Sequence, residues 1–503
     1  MSVMKRYFPG NRNGILLVCY LAYLVILAIT IAHHELWGDE IHSWNLAKAA
    51  HTYSDLLSMV RYEGHPPLWH TLLWFITRFT HQLIWLQVTQ FTIAALAVYV
   101  LLFRSPIPLL LKILIPAGYY FLFEYGVLGR NYMPGVLFAF LICTVLSSGK
   151  KNPIAYYLLL FLLTMSHMLG ILLAGSLHLY FLLQQKEAHR KNNWLHVVAG
   201  LLVAVPAVYI VAPPPGSETN FAFWVDHWNT HQFMIIAAAP VKSMLTIPAW
   251  WSDHLWNTNF LFEPGSPFHA SGTMILVLSV FLVLLVCFIL GGHKKSLYLF
   301  LFNLLLTSIV AIIFPLTSMR YVGYIYISFV VAVWLMFSET KVSSFRQALI
   351  FLLFAVQIPG GIIAAVKDIR YTFSNAGKVG ALLQEVPSSE VVVSDYWCLN
   401  NLVAFLNKPF YCLEMNKVID HITWDQQLSD RKRSHKPYTN GADRLFATIP
   451  QQSFYLMSTY PPDILDKNDT VFTRKFAVDM IDKREGSIEK YGAVYLYRIS
   501  KRP

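Results

Sequence analysis

Charged residues are scarce in this sequence. They make up 13% of the 503 residues, whereas soluble domains carry roughly 25%. Hydrophobic residues account for 56%. This composition excludes a water-soluble globular enzyme and a disordered chain. Apolar runs of about 20 residues, long enough to cross a bilayer, begin at residues 14–32 and predict a polytopic membrane protein.

Cysteine is also rare, since the chain has five. So few cysteines exclude a small scaffold held by disulfides. Cys19, Cys143 and Cys287 lie in apolar runs, whereas Cys398 and Cys412 lie in a polar tail and either pair in an oxidising compartment or stay reduced. Internal repeats are absent too, which argues against a transporter of two matching halves. No Walker-type glycine loop is present, so we expect no nucleotide requirement.

The apolar runs predict eleven membrane spans. They cover residues 14–32, 84–103, 107–123, 131–147, 153–166, 169–183, 194–212, 273–291, 296–314, 321–338 and 348–366. The run from 153 to 183 is too long for one upright helix, so we divide it at Ser166 and His167 into a hairpin.

The distribution of Lys and Arg between the loops predicts the orientation. With a cytoplasmic N-terminus, the cytoplasmic segments hold thirteen basic residues and the outward segments up to residue 366 hold six. Much of the net charge of +11 therefore reflects the basic residues that orient the spans in the membrane, and it does not indicate nucleic-acid binding. An odd number of spans leaves residues 367–503 outside.

Three outward segments are large enough for chemistry: 33–83, 213–272 and 367–503. The last alternates strand-like runs, such as 391–393 and 454–457, with helix-like stretches, and this pattern predicts a small α/β domain. The expected fold is thus an α-helical polytopic membrane domain over 1–366 with a C-terminal periplasmic α/β domain over 367–503. Five tryptophans in 213–272 either stack on sugar or lie at the membrane interface. They are Trp224, Trp228, Trp250, Trp251 and Trp256.

The first outward loop concentrates acidic residues. Asp39 and Glu40 follow the first span and precede a helix-like stretch over 41–50, so one interpretation makes Asp39 a helix cap. Nearby His33, His34, Glu35 and His42 could bind a divalent metal, although adjacent histidines lack the i, i+4 spacing of a preformed helical site. Further along, Pro66 and Pro67 stiffen the backbone beside His65.

The pair Asp39-Glu40 just after the first span, followed in the same loop by His65-Pro66-Pro67-Leu68, resembles a known family. It is similar to the polyprenyl-phosphate-sugar-dependent glycosyltransferases of the GT-C fold, the group with protein O-mannosyltransferases and the aminoarabinose transferases of lipid A (families 39 and 83). The resemblance extends over about residues 14–340 as a pattern of spans and loops. Gly64 replaces the Asp that usually precedes His-Pro-Pro in the mannosyltransferases, and Glu63 stands one position earlier.

The resemblance implies a role for each candidate residue. Asp39 would be the general base of an inverting transfer, and Glu40, grouped with it as catalytic, would orient the acceptor or the loop. Arg130 and Arg320, at outward ends of spans, resemble arginine elements of bacterial relatives and would bind the donor phosphate; the alternative makes each an anchor at the membrane interface. By their positions, His65, Tyr132 and Tyr321 would join the phosphate site and Glu63 and His167 would contact substrate, although His167 could instead be a buried histidine bonded to a backbone carbonyl. Arginine suits phosphate because its planar fork donates two parallel hydrogen bonds.

The same resemblance implies the environment and the partners. We expect a bacterial inner-membrane protein with its site in the periplasm, a polyprenyl-phosphate-linked sugar as donor, and a lipid, glycan or protein hydroxyl as acceptor, with membrane lipids around it and no nucleic acid. No cofactor should be required, and a divalent metal stays a minor alternative. The competing functions are a transporter or flippase, which would carry ionisable residues in mid-span, and a non-catalytic envelope assembly protein, for which Asp39 would be replaceable.

Overall fold

A computed structural model describes residues 12–148, 152–187, 193–215, 217, 230–314, 316–425 and 437–502. The chain forms two compact units. The first comprises Met1–Ala32, Gln87–Val211 and Asn220–Lys367, and the second comprises His33–Leu86, Ala212–Thr219 and Asp368–Pro503. The first outward loop thus belongs to the same unit as the C-terminal tail.

Most of the first unit is long apolar helix. Eight helices in the described part of the chain are long and apolar enough to cross a membrane: Arg12–His33, Ile84–Arg104, Met168–Gln185, Trp194–Val211, Gly272–Leu290, Lys294–Ile313, Met319–Glu339 and Ser344–Arg370. Two shorter apolar helices, Tyr132–Ser147 and Pro153–Thr164, occupy two further predicted spans. The prediction of a polytopic helical chain is confirmed.

Details of the spans differ from the prediction at three places. Residues 107–123 do not form one helix; a short helix Leu109–Leu114 is followed by a 3₁₀ turn at Ile115–Ala117 and a π turn at Tyr120–Glu124. Pro116 explains the break, because proline lacks the N–H that a continuing helix needs. The last span consists of Ser344–Ala355 and Gln357–Arg370, and an unpredicted helix covers Thr230–Met244. The division at Ser166 and His167 is confirmed.

The second unit contains a six-stranded sheet from the tail. Its strands are β1 (Val392–Ser394), β2 (Phe410–Cys412), β3 (Lys417–Ile419), β4 (Ser453–Ser458), β5 (Phe476–Arg484) and β6 (Val494–Lys501), in the order β3-β2-β1-β4-β6-β5. Strand β1 runs parallel to both neighbours, and the other pairs are antiparallel. The predicted α/β tail is confirmed, although the sequence did not indicate β3 and β5.

Helices cover both faces of this sheet. Because side chains alternate along a strand, Leu456 and Met457 of β4 enter different cores. The helix Tyr396–Leu406 contributes to the core around Met457, and the helix Pro437–Thr448 contributes to the core around Leu456. The shorter helices of the tail are Val379–Leu383, Pro462–Asn468 and Phe472–Lys475. Cys398 and Cys412 are both buried in the first of these cores and are not joined to each other, so the alternative of a disulfide is not realised.

The first outward loop forms three helices in the second unit: Gly38–Ala49, Tyr53–Val60 and Leu68–Thr77. The first of them packs against the tail helix Tyr396–Leu406. Asn45 Nδ2 donates to the Asn400 carbonyl at 2.8 Å, and Lys48 Nζ donates to Asn407 Oδ1 at 3.0 Å. These contacts hold the second half of the loop helix against the α/β domain.

Candidate functional site

Asp39 and Glu40 both lie in the first turn of the helix Gly38–Ala49, but their side chains make different contacts. Trp37 is the cap residue, so the interpretation of Asp39 as the helix cap is wrong. Glu40, at the third helical position, performs the capping, since its carboxylate accepts the Trp37 backbone N–H at 3.1 Å. Glu40 is fully buried, whereas Asp39 is partly exposed. The two carboxylates therefore point into different environments.

A buried histidine anchors this turn. His34 Nε2 lies 3.1 Å from Glu40 Oε2, and His34 Nδ1 lies 3.1 Å from Asp368 Oδ1. Burial alone lowers the pKa of His34, but the charges and hydrogen bonds of Asp368 and Glu40 outweigh it and raise the pKa of His34 to about 10. The imidazole is therefore a cation between two carboxylates. These contacts fit the role of orienting the loop that the sequence analysis gives to Glu40, and its grouping with Asp39 as catalytic stays a prediction.

Asp39 lines a cavity of about 390 Å³ within the second unit. Its wall combines the start of the loop helix with the tail. It is lined by Trp37, Gly38, Asp39, His42, Ser374, Trp397, Asn400, Asn401, Trp424, Thr459, Tyr460, Glu489, Tyr491 and Gly492. Asp39 and His42 are three residues apart on one helix, so their side chains share a face. The cavity thus brings the predicted base together with aromatic and amide side chains.

Glu63 supports this cavity through His42. Both carboxylate oxygens of Glu63 lie 2.9 Å from His42 Nε2, and the two side chains are almost fully buried. His42 in turn lines the cavity, with its ring centre 5.7 Å from that of Trp424. Gly64 follows with a φ of +67°, a conformation that glycine adopts without strain, and turns the chain toward His65. His65 is half-buried and is not among the described residues that line the cavity.

The predicted phosphate ligands lie in the first unit, around the start of the helix Met319–Glu339. The Arg320 guanidinium lies 5.5 Å from the centre of the Trp256 ring. Trp256 Nε1 donates to Glu124 Oε2 at 3.1 Å, and the Tyr119 hydroxyl donates to the same oxygen at 2.7 Å. Arg320 is thus placed against an aromatic face that a buried carboxylate holds in position.

Three further candidates form an aromatic cluster in the same unit. The Tyr132 ring lies 4.4 Å from the His167 ring and 6.3 Å from the Tyr321 ring. His167 is fully buried at the break between two helices, and its Nδ1 accepts the Leu169 backbone N–H at 3.0 Å. Arg130 lies two residues before Tyr132, just ahead of the helix Tyr132–Ser147. Tyr132, His167 and Tyr321, predicted from separate segments, are therefore neighbours.

The histidine-rich start of the loop has structural tasks instead of a shared ligand set. Glu35 accepts the Phe373 backbone N–H at 2.7 Å, His34 pairs with Glu40 and Asp368, and His42 pairs with Glu63. Among the described residues, no group of three or more His, Cys, Asp or Glu side chains is arranged to hold a metal ion.

Sequence reasoning missed several residues of both clusters. Glu124 and Asp368 each follow an apolar run, and an ionisable residue at such an edge was a usable signal. Trp397, Trp424 and Asn401 had no local signal, because only the tertiary fold places them beside Asp39. Of the five tryptophans of 213–272, Trp256 contacts the Arg320 cluster and the exposed pair Trp250 and Trp251 contact one another. Trp224 and Trp228 lie outside the described residues.

No protein-family model and no curated protein matches the chain. Among solved structures, the chain is similar to the crystal structure of ArnT from Cupriavidus metallidurans in the apo state. The TM-score is 0.39 and the sequence identity 12%, and the similarity covers 97% of this chain and 98% of that chain. ArnT is an aminoarabinose transferase of the GT-C fold, the group that the first-loop motif resembles.

Proposed function

We propose that the chain is a membrane glycosyltransferase of the GT-C type. It transfers one sugar from a polyprenyl phosphate carrier to an acceptor hydroxyl at the periplasmic face of a bacterial inner membrane. The observation that carries this proposal is Asp39, which belongs to the Asp-Glu and His-Pro-Pro-Leu pattern and lines a cavity of substrate size. Eight helices suited to crossing a bilayer support the membrane setting.

In the proposed reaction, the Asp39 carboxylate accepts the proton of the acceptor hydroxyl. The hydroxyl oxygen attacks the anomeric carbon as the bond from that carbon to the phosphate oxygen breaks, and the electron pair leaves with the polyprenyl phosphate. The product has the inverted configuration. Because phosphate is a good leaving group, the proposal requires no nucleotide and no resident metal.

Arginine would bind the donor phosphate in this scheme. Arg320 supports the role because its guanidinium packs on the Trp256 ring, and this packing fixes the plane of the guanidinium and the direction of its N–H donors. Glu124 holds Trp256 and is itself held by Tyr119. Arg130, His65, Tyr132 and Tyr321 would complete the phosphate contacts, and His167, next to Tyr132, would contact substrate.

The experiment that tests this function measures sugar release from radiolabelled polyprenyl-phosphate monosaccharides by the full-length protein in detergent. Asp39→Asn keeps the size of the side chain and removes the base. We expect a loss of about 100-fold or more, the scale of one general base. Asp55→Asn is the matched control, because Asp55 is, like Asp39, a partly exposed carboxylate in the first turn of a helix of the same loop. Its rate should equal that of the wild type.

Two outcomes would count against the proposal. Equal rates for wild type and Asp39→Asn would remove Asp39 as the base. No turnover by the wild type across a panel of donors and acceptors would favour the transporter or assembly alternatives, in which Asp39 has no chemical task.

A further inference from the structure

The wall of the cavity beside Asp39 has a chemistry that the transfer step alone does not require. Three tryptophans, Trp37, Trp397 and Trp424, contribute to it. The rings of Trp397 and Trp424 lie 5.4 Å apart at an angle of 50°, and Trp397 is 38% exposed. Flat aromatic faces next to polar groups fit a ligand that is apolar on one face and hydroxylated at its edges.

A buried amide in the same wall needs a hydrogen-bond donor. Asn401 is 6% exposed, and its Oδ1 has no hydrogen-bond partner among the described residues. A buried acceptor without a partner costs about 1–3 kcal/mol unless a ligand or water bonds to it. The backbone carbonyl of the neighbouring Asn400 accepts a hydrogen bond from Asn45 Nδ2, and this bond fixes the helix at this point. A hydroxyl group of a bound ligand would supply the missing donor.

The lining also includes a carboxylate on a loop that backbone hydrogen bonds hold in place. Glu489 is 8% exposed, and its backbone N–H donates to the Phe373 carbonyl at 3.0 Å. The loop is tied again where Asn375 N–H donates to the Gly492 carbonyl at 2.8 Å. Carboxylate oxygens accept hydrogen bonds from hydroxyl groups, so Glu489 and Asp39 give the lining the polar chemistry that suits a hydroxylated ligand.

The charge of the wall discriminates between acceptor classes. None of the described residues that line the cavity is Lys or Arg, and its one histidine, His42, is paired with Glu63. This lining therefore offers a phosphate or carboxylate group neither an arginine fork nor a lysine ammonium. A neutral sugar needs no such cation.

We infer that this cavity is the acceptor site and that the acceptor is a neutral sugar of a glycan, packed on the tryptophan wall with a hydroxyl directed to Asp39. The inference rests on the proposed function, and names the acceptor that the proposal leaves open. A free oligosaccharide and the same glycan on a lipid anchor present this chemistry equally.

The test measures how the donor sugar is divided between acceptor and water. Full-length protein in detergent receives radiolabelled donor together with neutral oligosaccharides, the same glycans on a lipid, anionic glycans or serine peptides. Trp397→Ala and Asn401→Ala should each lower the ratio of transfer to hydrolysis about tenfold, the scale of one aromatic or hydrogen-bond contact. Trp397→Phe keeps an aromatic face and should restore most of the ratio. Trp251→Ala, which removes a tryptophan of similar exposure in the first unit, should leave the ratio unchanged.

The failures of the two proposals are distinguishable. Donor hydrolysis by the wild type with a ratio that does not change in Trp397→Ala and Asn401→Ala would overturn the acceptor site and leave the transferase intact. Transfer only to anionic glycans or to peptides would overturn the inference that the acceptor is a neutral sugar. If the wild type releases no sugar, saturation-transfer NMR with neutral disaccharides still decides, because binding that Trp397→Ala abolishes supports the site and absence of binding refutes it. Transfer to lipid-linked glycans alone, with the same sensitivity to Trp397→Ala, supports the site and identifies a glycolipid as the source.

Discussion

Replacing His34 by Gln should destabilise the second unit, because two buried carboxylates would lose their cation. The imidazole lies 3.1 Å from both Glu40 and Asp368, and all three side chains are shielded from water. Removing one partner of a buried ion pair costs about 3–5 kcal/mol. We take the lower limit, because a carboxyl left alone can bind a proton. A loss of about 3 kcal/mol corresponds to a fall in Tm of roughly 10 °C for a unit of this size.

The assay is thermal unfolding of the detergent-solubilised protein followed by intrinsic fluorescence. His51→Gln is the matched control, because His51 is an exposed histidine of the same loop and exposed substitutions usually change stability by under about 0.5 kcal/mol. A Tm of His34→Gln within about 2 °C of the control would refute the reasoning. Sugar transfer should also fall, since Glu40 and Asp39 share one helical turn.

The same ion pair predicts a pH dependence with a definite sign. The pKa of His34 in the folded protein, about 10, lies above its ordinary value of 6.5. Protonation therefore stabilises the fold fully below pH 6.5, and this stabilisation is lost as the pH rises toward 10. The Tm difference between wild type and His34→Gln should shrink over this interval. A difference that stays constant from pH 7 to pH 10 would mean that His34 does not carry the charge.

Two further predictions concern the walls of the candidate sites. Arg320→Lys should raise the donor KM about tenfold in the transfer assay, since lysine lacks the fork and the packing on Trp256, and an unchanged KM would remove Arg320 from phosphate binding. Asp395→Ala should lower the Tm and the transfer rate together, because Asp395 accepts two backbone N–H groups and the Ser458 hydroxyl beside the cavity, and buried donors without a partner cost about 1–3 kcal/mol each. A variant that melts like the wild type would contradict this reasoning.

The membrane helices could be predicted because their signal is local. A segment that crosses a bilayer must be apolar and must satisfy its backbone hydrogen bonds internally, as a helix does. The composition of about 20 consecutive residues therefore predicts a membrane helix. Residues 107–123 satisfy the composition and still break, because Pro116 interrupts the hydrogen-bond ladder. The helix Thr230–Met244 was not predicted, because Gln232, Lys242 and an internal proline interrupt its apolar run.

The candidate site was predictable only where a motif stands in one segment. Asp39 could be named from its neighbours, but Trp397, Asn401 and Trp424 come from the far end of the chain and join it by tertiary packing. Asp368 is likewise distant in sequence from His34. Periodicity and composition report on neighbours along the chain, whereas these contacts depend on how separate segments fold together.

The acidic pair of the first loop shows why adjacent residues of one motif should not share a role. Successive residues of a helix point about 100° apart, so Asp39 and Glu40 cannot face the same surroundings. Glu40 turns inward to the Trp37 backbone and His34, and Asp39 is left at the cavity with His42. The buried carboxylate fixes the turn, and the partly exposed one lines the cavity. A rigid turn that presents one carboxylate is the arrangement that a general base requires, because proton transfer depends on hydrogen-bond reach before it depends on pKa.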